Sequence, residues 1–114
     1  MNKKFLALGR LKRGERNKLE SAYEQYLERR KQAGEIQWYK FEGMKFRLAD
    51  DCFYTPDFAV LLENGEIEIH ECKSIWRDGA KEKIRIAAEL YPFRFIAVYA
   101  ISKKEGGGFR YEDF

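Results

Sequence analysis

Residues 54–73 constrain the fold of this chain more than any other stretch. A Pro56-Asp57 pair opens an apolar run at 58–62, an Asn64-Gly65 turn follows, and a second alternating run ends in Glu71-Cys72-Lys73. Two short runs of this kind around a glycine-containing loop predict a β-hairpin. Pro56 has no N–H to give a ladder, so it belongs at the start of the first strand. Side chains alternate along a strand, which puts Glu71 and Lys73 on one face, about 7 Å apart, behind Ile67 and Ile69. Two charges at the end of an apolar stripe are costly unless they lie at an open sheet end or hold a cation.

The register of that hairpin decides whether Asp57 joins them. A two-residue Asn64-Gly65 loop would set Asp57 opposite Cys72 and leave Glu71 on the other face. A three-residue loop with Gly65 left-handed and a bulge shifts the pairing by one and sets Asp57 across from Glu71. The second register is the expectation, and it makes Asp57, Glu71 and Lys73 the candidate catalytic residues. The plainer alternative is a surface hairpin with solvated acids and an edge lysine.

Around the hairpin the pattern alternates between helix and strand. At 15–33, Leu19, Ala22, Tyr23, Tyr26 and Leu27 recur at helical spacing, and Gly34 supplies a stop. Glu20 lies at the margin of that apolar stripe, where it can look toward Asp57 and Glu71, with Glu24 in reserve. Runs at 37–41 and 44–48 flank Glu42-Gly43 and predict a tight hairpin, with Trp38, Tyr39, Phe41, Phe46 and Leu48 as packing residues. Asp50-Asp51 predicts a turn. After Lys73, Asp78 is the expected N-cap of a helix at 79–90, buried through Ala80, Ile84, Ala87, Ala88 and Tyr91. Lys81 and Arg85 share another face of it. Pro92 ends the helix, and 93–101 predicts a buried strand parallel to the one ending at Lys73. Residues 102–114 give a polar turn and a weak last strand or tail.

Composition bounds the class. At 114 residues, 45% hydrophobic and 16% aromatic, the chain is one folded domain. A basic arm at 1–14 precedes the domain at 15–114. Up to residue 18, Lys3, Lys4, Arg10, Lys12, Arg13, Arg16 and Lys18 stand against Glu15 alone, which suits a polyanionic partner. Cys52 and Cys72, with no secretion signal in view, point to reduced thiols in a cytosolic protein. The longest apolar run is far too short to span a bilayer, so no membrane role is expected. His70 is the only histidine and falls on the opposite face from Glu71 by parity. That argues for a structural role and against a histidine-rich zinc site. No serine-centred triad or Walker loop is visible.

Pro56-Asp57, a gap of thirteen residues, and Glu71-Cys72-Lys73 resemble the signature of the PD-(D/E)XK nuclease superfamily. The order of helix, strands, Asp strand, Glu-x-Lys strand, helix and strand is similar to its core. A closer resemblance runs over 17–98, through AsnLysLeuGluSerAlaTyr, PheTyrThrProAspPhe and TyrProPheArgPheIleAlaVal. It is to small phage and prophage proteins related to the Holliday-junction-cleaving phage endonucleases. The resemblance implies an α/β fold, a restriction-endonuclease-like core with a mixed central sheet flanked by two helices. It implies a DNA endonuclease of the bacterial cytoplasm, acting on branched DNA, and homodimers are usual among such resolvases.

Residue by residue, the resemblance makes Asp57, Glu71 and the Cys72 carbonyl the ligands of Mg²⁺ or Mn²⁺, with Glu20 as a further acid. Lys73 becomes the catalytic cation. Mg²⁺ suits such a set, because it prefers oxygen and needs only one or two carboxylates beside water and phosphate. Arg77, Lys81, Arg85, Lys12 and Arg13 are the expected nucleic-acid-binding residues. A non-catalytic nucleic-acid-binding or phage regulatory module on the same scaffold is the alternative. The paired acids argue against it, since they repel a phosphate backbone unless a cation intervenes.

Overall fold

A computed structural model describes residues 15–114, so the basic arm with Lys12 and Arg13 lies outside the described residues. The elements are α1 (Lys18–Gln32), β1 (Ile36–Phe41), β2 (Phe46–Ala49), β3 (Cys52–Tyr54), β4 (Phe58–Leu62), β5 (Ile67–Cys72), α2 (Ala80–Leu90), β6 (Arg94–Ala100), a 3₁₀ turn (Lys103–Glu105) and β7 (Phe109–Asp113). The fold is mixed α/β. Five strands run in the order β1-β4-β5-β6-β7, and β2 and β3 form a separate ribbon. The β5–β6 pair is parallel, as a helical connection requires, and the other neighbours are antiparallel.

Alternation along the strands sorts the core into two layers. Phe58, Val60, Cys72 and Val98 face α1, where Tyr23 and Leu27 are fully buried against them. Ala59, Ile69 and Phe95 face the other way, onto Ile84 and Ala87 of α2 and onto Phe46 and Tyr54 of the ribbon. Truncating a residue as enclosed as Leu27 to Ala would cost about 2–5 kcal/mol. A buried polar column threads the first layer. Tyr23 Oη lies 2.6 Å from His70 Nδ1, His70 Nε2 lies 3.0 Å from Glu68 Oε1, and Arg94 reaches Glu68 Oε2 at 3.1 Å. His70 is therefore structural, as its parity predicts.

Helix α1 begins at an Asn17 cap. The Glu20 N–H donates to Asn17 Oδ1 at 2.8 Å and the Asn17 N–H to Glu20 Oε1 at 2.9 Å, which closes a capping box. Its stop is the expected one: Gly34 sits at φ +84°, and the Gly34 and Glu35 N–H groups close on the carbonyls of Lys31 and Arg30.

Three expectations fail. The Glu42-Gly43 hairpin does not form, because β1 pairs with β4 and β2 with β3. Glu42 instead turns at φ +49° with its N–H on the Asp57 carbonyl, and the chain crosses to the α2 side of the sheet. Trp38 is 42% exposed, since a register shift between Ile36 and Trp38 turns it out of the core. Asp78 does not cap α2, whose N-cap position is Gly79 at φ +83° with no side-chain cap bond. Asp50-Asp51 does turn the ribbon, and β7 adds an antiparallel edge beside β6.

Candidate functional site

The β4–β5 register sets Phe58 against His70 and Leu61 against Ile67, so one step further Asp57 lies opposite Glu71. This is the offset that the three-residue loop predicts. Leu62 and Glu66 close the hairpin by the Leu62 N–H on the Glu66 carbonyl at 2.8 Å, and Gly65 is left-handed at φ +92°. The two carboxylates are wired to each other's backbones. The Asp57 N–H donates to Glu71 Oε1 at 3.0 Å, and the Cys72 N–H donates to Asp57 Oδ2 at 2.8 Å.

Glu71 is held on three sides. Tyr54 Oη donates to its Oε1 at 3.1 Å, beside the Asp57 N–H, and Lys73 Nζ lies 3.2 Å from its Oε2. Lys73 in turn sits 5.2 Å from the Trp76 ring centroid, a cation–π contact that steadies the ammonium. Burial pushes the Glu71 carboxyl above its ordinary range, and Lys73 opposes that rise. The Asp57 carboxyl is pushed up by burial first, then by the charges of Glu71 and Glu20. The Cys72 thiol is also raised by burial and faces the α1 layer, so it takes no part.

Glu20 reaches the cleft from the first turn of α1, and its charge adds to the rise of the Asp57 carboxyl. Its Oε1 is already engaged by the capping box. Glu24, the reserve, points elsewhere and pairs with Arg16. Together Glu20, Asp57, Glu71, Cys72, Lys73, Lys18 and Arg77 line an open cleft of about 410 Å³. A larger concavity of about 590 Å³ lies by Arg85, Ile86, Ala88, Glu89 and Phe114, without a convergent set of polar groups.

The structure divides the expected phosphate-binding residues. Arg77 is exposed on the rim of the cleft. Lys81 is instead bound to Glu112 at 3.3 Å, and Arg85 lines the other concavity. It is β7, returning beside β6, that brings Glu112 against Lys81. Three participants went unread in the sequence: Asn17, Tyr54 and Trp76. Asn17-x-x-Glu20 is a legible capping pattern, whereas Tyr54 and Trp76 depend on contacts made only in the folded chain.

Among the described residues, no three His, Cys, Asp or Glu side chains are gathered into a metal-holding group. The donor set nevertheless fits a hard cation. The buried Glu71 and half-buried Asp57 carboxylates repel each other and lack a full counter-charge, and every donor is oxygen. The Cys72 N–H points to the Asp57 side, and in extended chain its carbonyl leaves on that same side. Mg²⁺ completes its shell with waters, so two carboxylates and a carbonyl suffice. Among the described residues no helix is long and apolar enough to cross a membrane. No family model, curated protein or solved structure matches the chain.

Proposed function

We propose that this chain is a Mg²⁺- or Mn²⁺-dependent DNA endonuclease with a PD-(D/E)XK core. The observation that carries the reading is the Asp57–Glu71 opposition on adjacent strands, with Lys73 at 3.2 Å from Glu71 in an open cleft. A binding-only module leaves that acidic pair without a purpose beside a phosphate backbone. The order of elements supports the nuclease core, and the sequence resemblance supports DNA as substrate, branched DNA in particular. With it come action in a bacterial cytoplasm and a homodimer as further parts of the proposal.

Asp57, Glu71 and the Cys72 carbonyl would hold the cation, with Glu20 beside them. When bound, the cation polarises the scissile phosphate and acidifies an attacking water. The protein's own residues supply the rest. Tyr54 and the Asp57 N–H fix the Glu71 carboxylate, so its second oxygen is aimed at Lys73. Lys73, steadied by Trp76, projects into the cleft as a donor to the water or to a phosphate oxygen that gains charge. Arg77 and Lys18 on the rim attract the backbone.

The test is incubation of purified protein with linear, flapped, single-stranded and four-way DNA, with each divalent metal and with EDTA. Cleavage is expected only with metal. Asp57→Asn and Lys73→Ala are expected to abolish it while circular dichroism stays unchanged. Wild-type rates in both variants, or cutting that survives EDTA, would refute the assignment.

A further inference from the structure

The cleft does not end at Lys73. A second concavity of about 330 Å³ adjoins it, lined by Leu19, Lys73, Ser74, Tyr99, Ala100 and Arg110, and the two share Leu19, Lys73 and Ser74. Its floor follows from strand register. Glu71 pairs with Ala97 and Ala97 with Glu112, which continues the acidic row from Asp57 across the sheet. One pleat further toward the sheet end, the Lys73 N–H bonds to the Val98 carbonyl and Tyr99 pairs with Arg110. Lys73, Tyr99 and Arg110 therefore stand in a row on the same face as the carboxylates.

Arg110 is held ready on that row. Its guanidinium carbon lies 4.0 Å from the Tyr99 ring centroid. The ring is fixed at its hydroxyl, which accepts from Trp76 Nε1 at 2.6 Å and donates to Glu112 Oε1 at 2.6 Å. Arg110 makes no salt bridge with a described residue, whereas Arg30, Lys81 and Arg94 each do. A flat guanidinium, exposed beside a cleft and with its donor edge open, matches phosphate geometry better than a mobile lysine. Trp76 touches both halves of the arrangement, since it contacts Lys73 by its ring and Tyr99 by its N–H.

We propose that Arg110, laid on Tyr99, forms a second phosphate subsite, so that a nucleic-acid strand crosses the sheet end from the carboxylates over Lys73 toward β7. The proposal rests on the nuclease reading for its substrate class, a phosphodiester chain. From the strand of Lys73 to that of Arg110 is two strand spacings, about 10 Å, which suits a phosphate close along the same strand. Arg110 would position substrate and take no part in bond breaking.

The experiment measures binding and cutting separately. Fluorescent DNA and RNA oligonucleotides are titrated with the Asp57→Asn protein and its Arg110→Ala and Arg110→Gln derivatives, over a range of salt. Arg29→Ala, exposed near the far end of α1, serves as the control. Loss of one phosphate contact lowers the log–log salt slope by about 0.7–0.9 and the affinity by about five- to tenfold near 0.1 M salt. Both Arg110 variants are expected to show this and Arg29→Ala is not. In the active background, Arg110→Gln is expected to raise KM and leave kcat. Unchanged slope and affinity in both Arg110 variants overturn the subsite, as does a protein that binds neither polymer. A slope change in a protein that cuts nothing would leave the subsite standing and remove the nuclease reading instead.

Discussion

Asp57→Asn removes one charge from the Asp57–Glu71 pair and keeps the shape of the side chain. The Asn oxygen can still accept from the Cys72 N–H, and its amide can donate toward Glu20. Opposed residues on adjacent antiparallel strands lie about 5 Å apart, and two unit charges at that distance repel by about 3 kcal/mol at an effective dielectric near 20. Lys73 and the Cys72 N–H offset part of this, so a gain of about 1–2 kcal/mol is expected at pH 8 in EDTA. The sign with pH follows from the raised carboxyls. A group whose folded pKa is above its unfolded value contributes stability that is full below the unfolded value and lost as pH rises through the folded one. Wild type should therefore weaken from pH 5 to pH 8, and the variant should weaken less. Urea denaturation at both pH values reads the difference, and thermal melting should shift by about 4–8 °C per kcal/mol. Saturating Mg²⁺ should reverse the order at pH 8, adding about 2.7 kcal/mol to wild type at a hundredfold excess over Kd. A variant less stable than wild type by the same amount at both pH values, with no response to Mg²⁺ in either, would refute this.

Tyr23→Phe leaves His70 Nδ1 unpaired in the first core layer and should cost about 1–3 kcal/mol in urea denaturation. A loss below a few tenths would mean the column carries no weight. Asn17→Ala removes the cap of α1 and should cost about 1 kcal/mol, and it should also loosen Glu20 and weaken metal binding in calorimetry. Unchanged metal affinity would place Glu20 outside the ligand set. The Glu68 carboxyl is held below its ordinary range by His70 first, with Arg94 adding to it. Its contribution is present above the unfolded value and lost as pH falls through the lowered folded one, so Glu68→Gln should flatten the loss of stability as pH drops below the ordinary glutamate value of about 4.3. Parallel curves for variant and wild type would contradict this.

What the sequence made legible was local. Parity along 67–73 and the turn chemistry around Gly65 were enough to set Asp57 against Glu71, because both act within one hairpin. Gly34 and Pro92 mark helix ends for equally local reasons. Long-range choice was not readable. Glu42-Gly43 has the composition of a hairpin turn, but β4 offers β1 a better partner and takes it. Trp38 reads as core until the register shift at Gln37 turns it outward, where the Gln37 amide bonds the Leu62 and Glu63 carbonyls. Arg110 carries no signal by itself. Only the return of β7 along β6, after Gly106-Gly107-Gly108, lays it on Tyr99. Glu20 stands between these cases: its place in the capping box was readable, and its approach to Asp57 needed the packing of α1.

Diffraction from crystals soaked in Mn²⁺, recorded at a wavelength where manganese scatters anomalously, tests the site most directly. A peak bonded to oxygens of Asp57 and Glu71 and to the Cys72 carbonyl, at about 2.0–2.3 Å, is the predicted result. A fully occupied manganese elsewhere, with the Asp57 and Glu71 oxygens still on the Cys72 and Asp57 N–H groups alone, would contradict it.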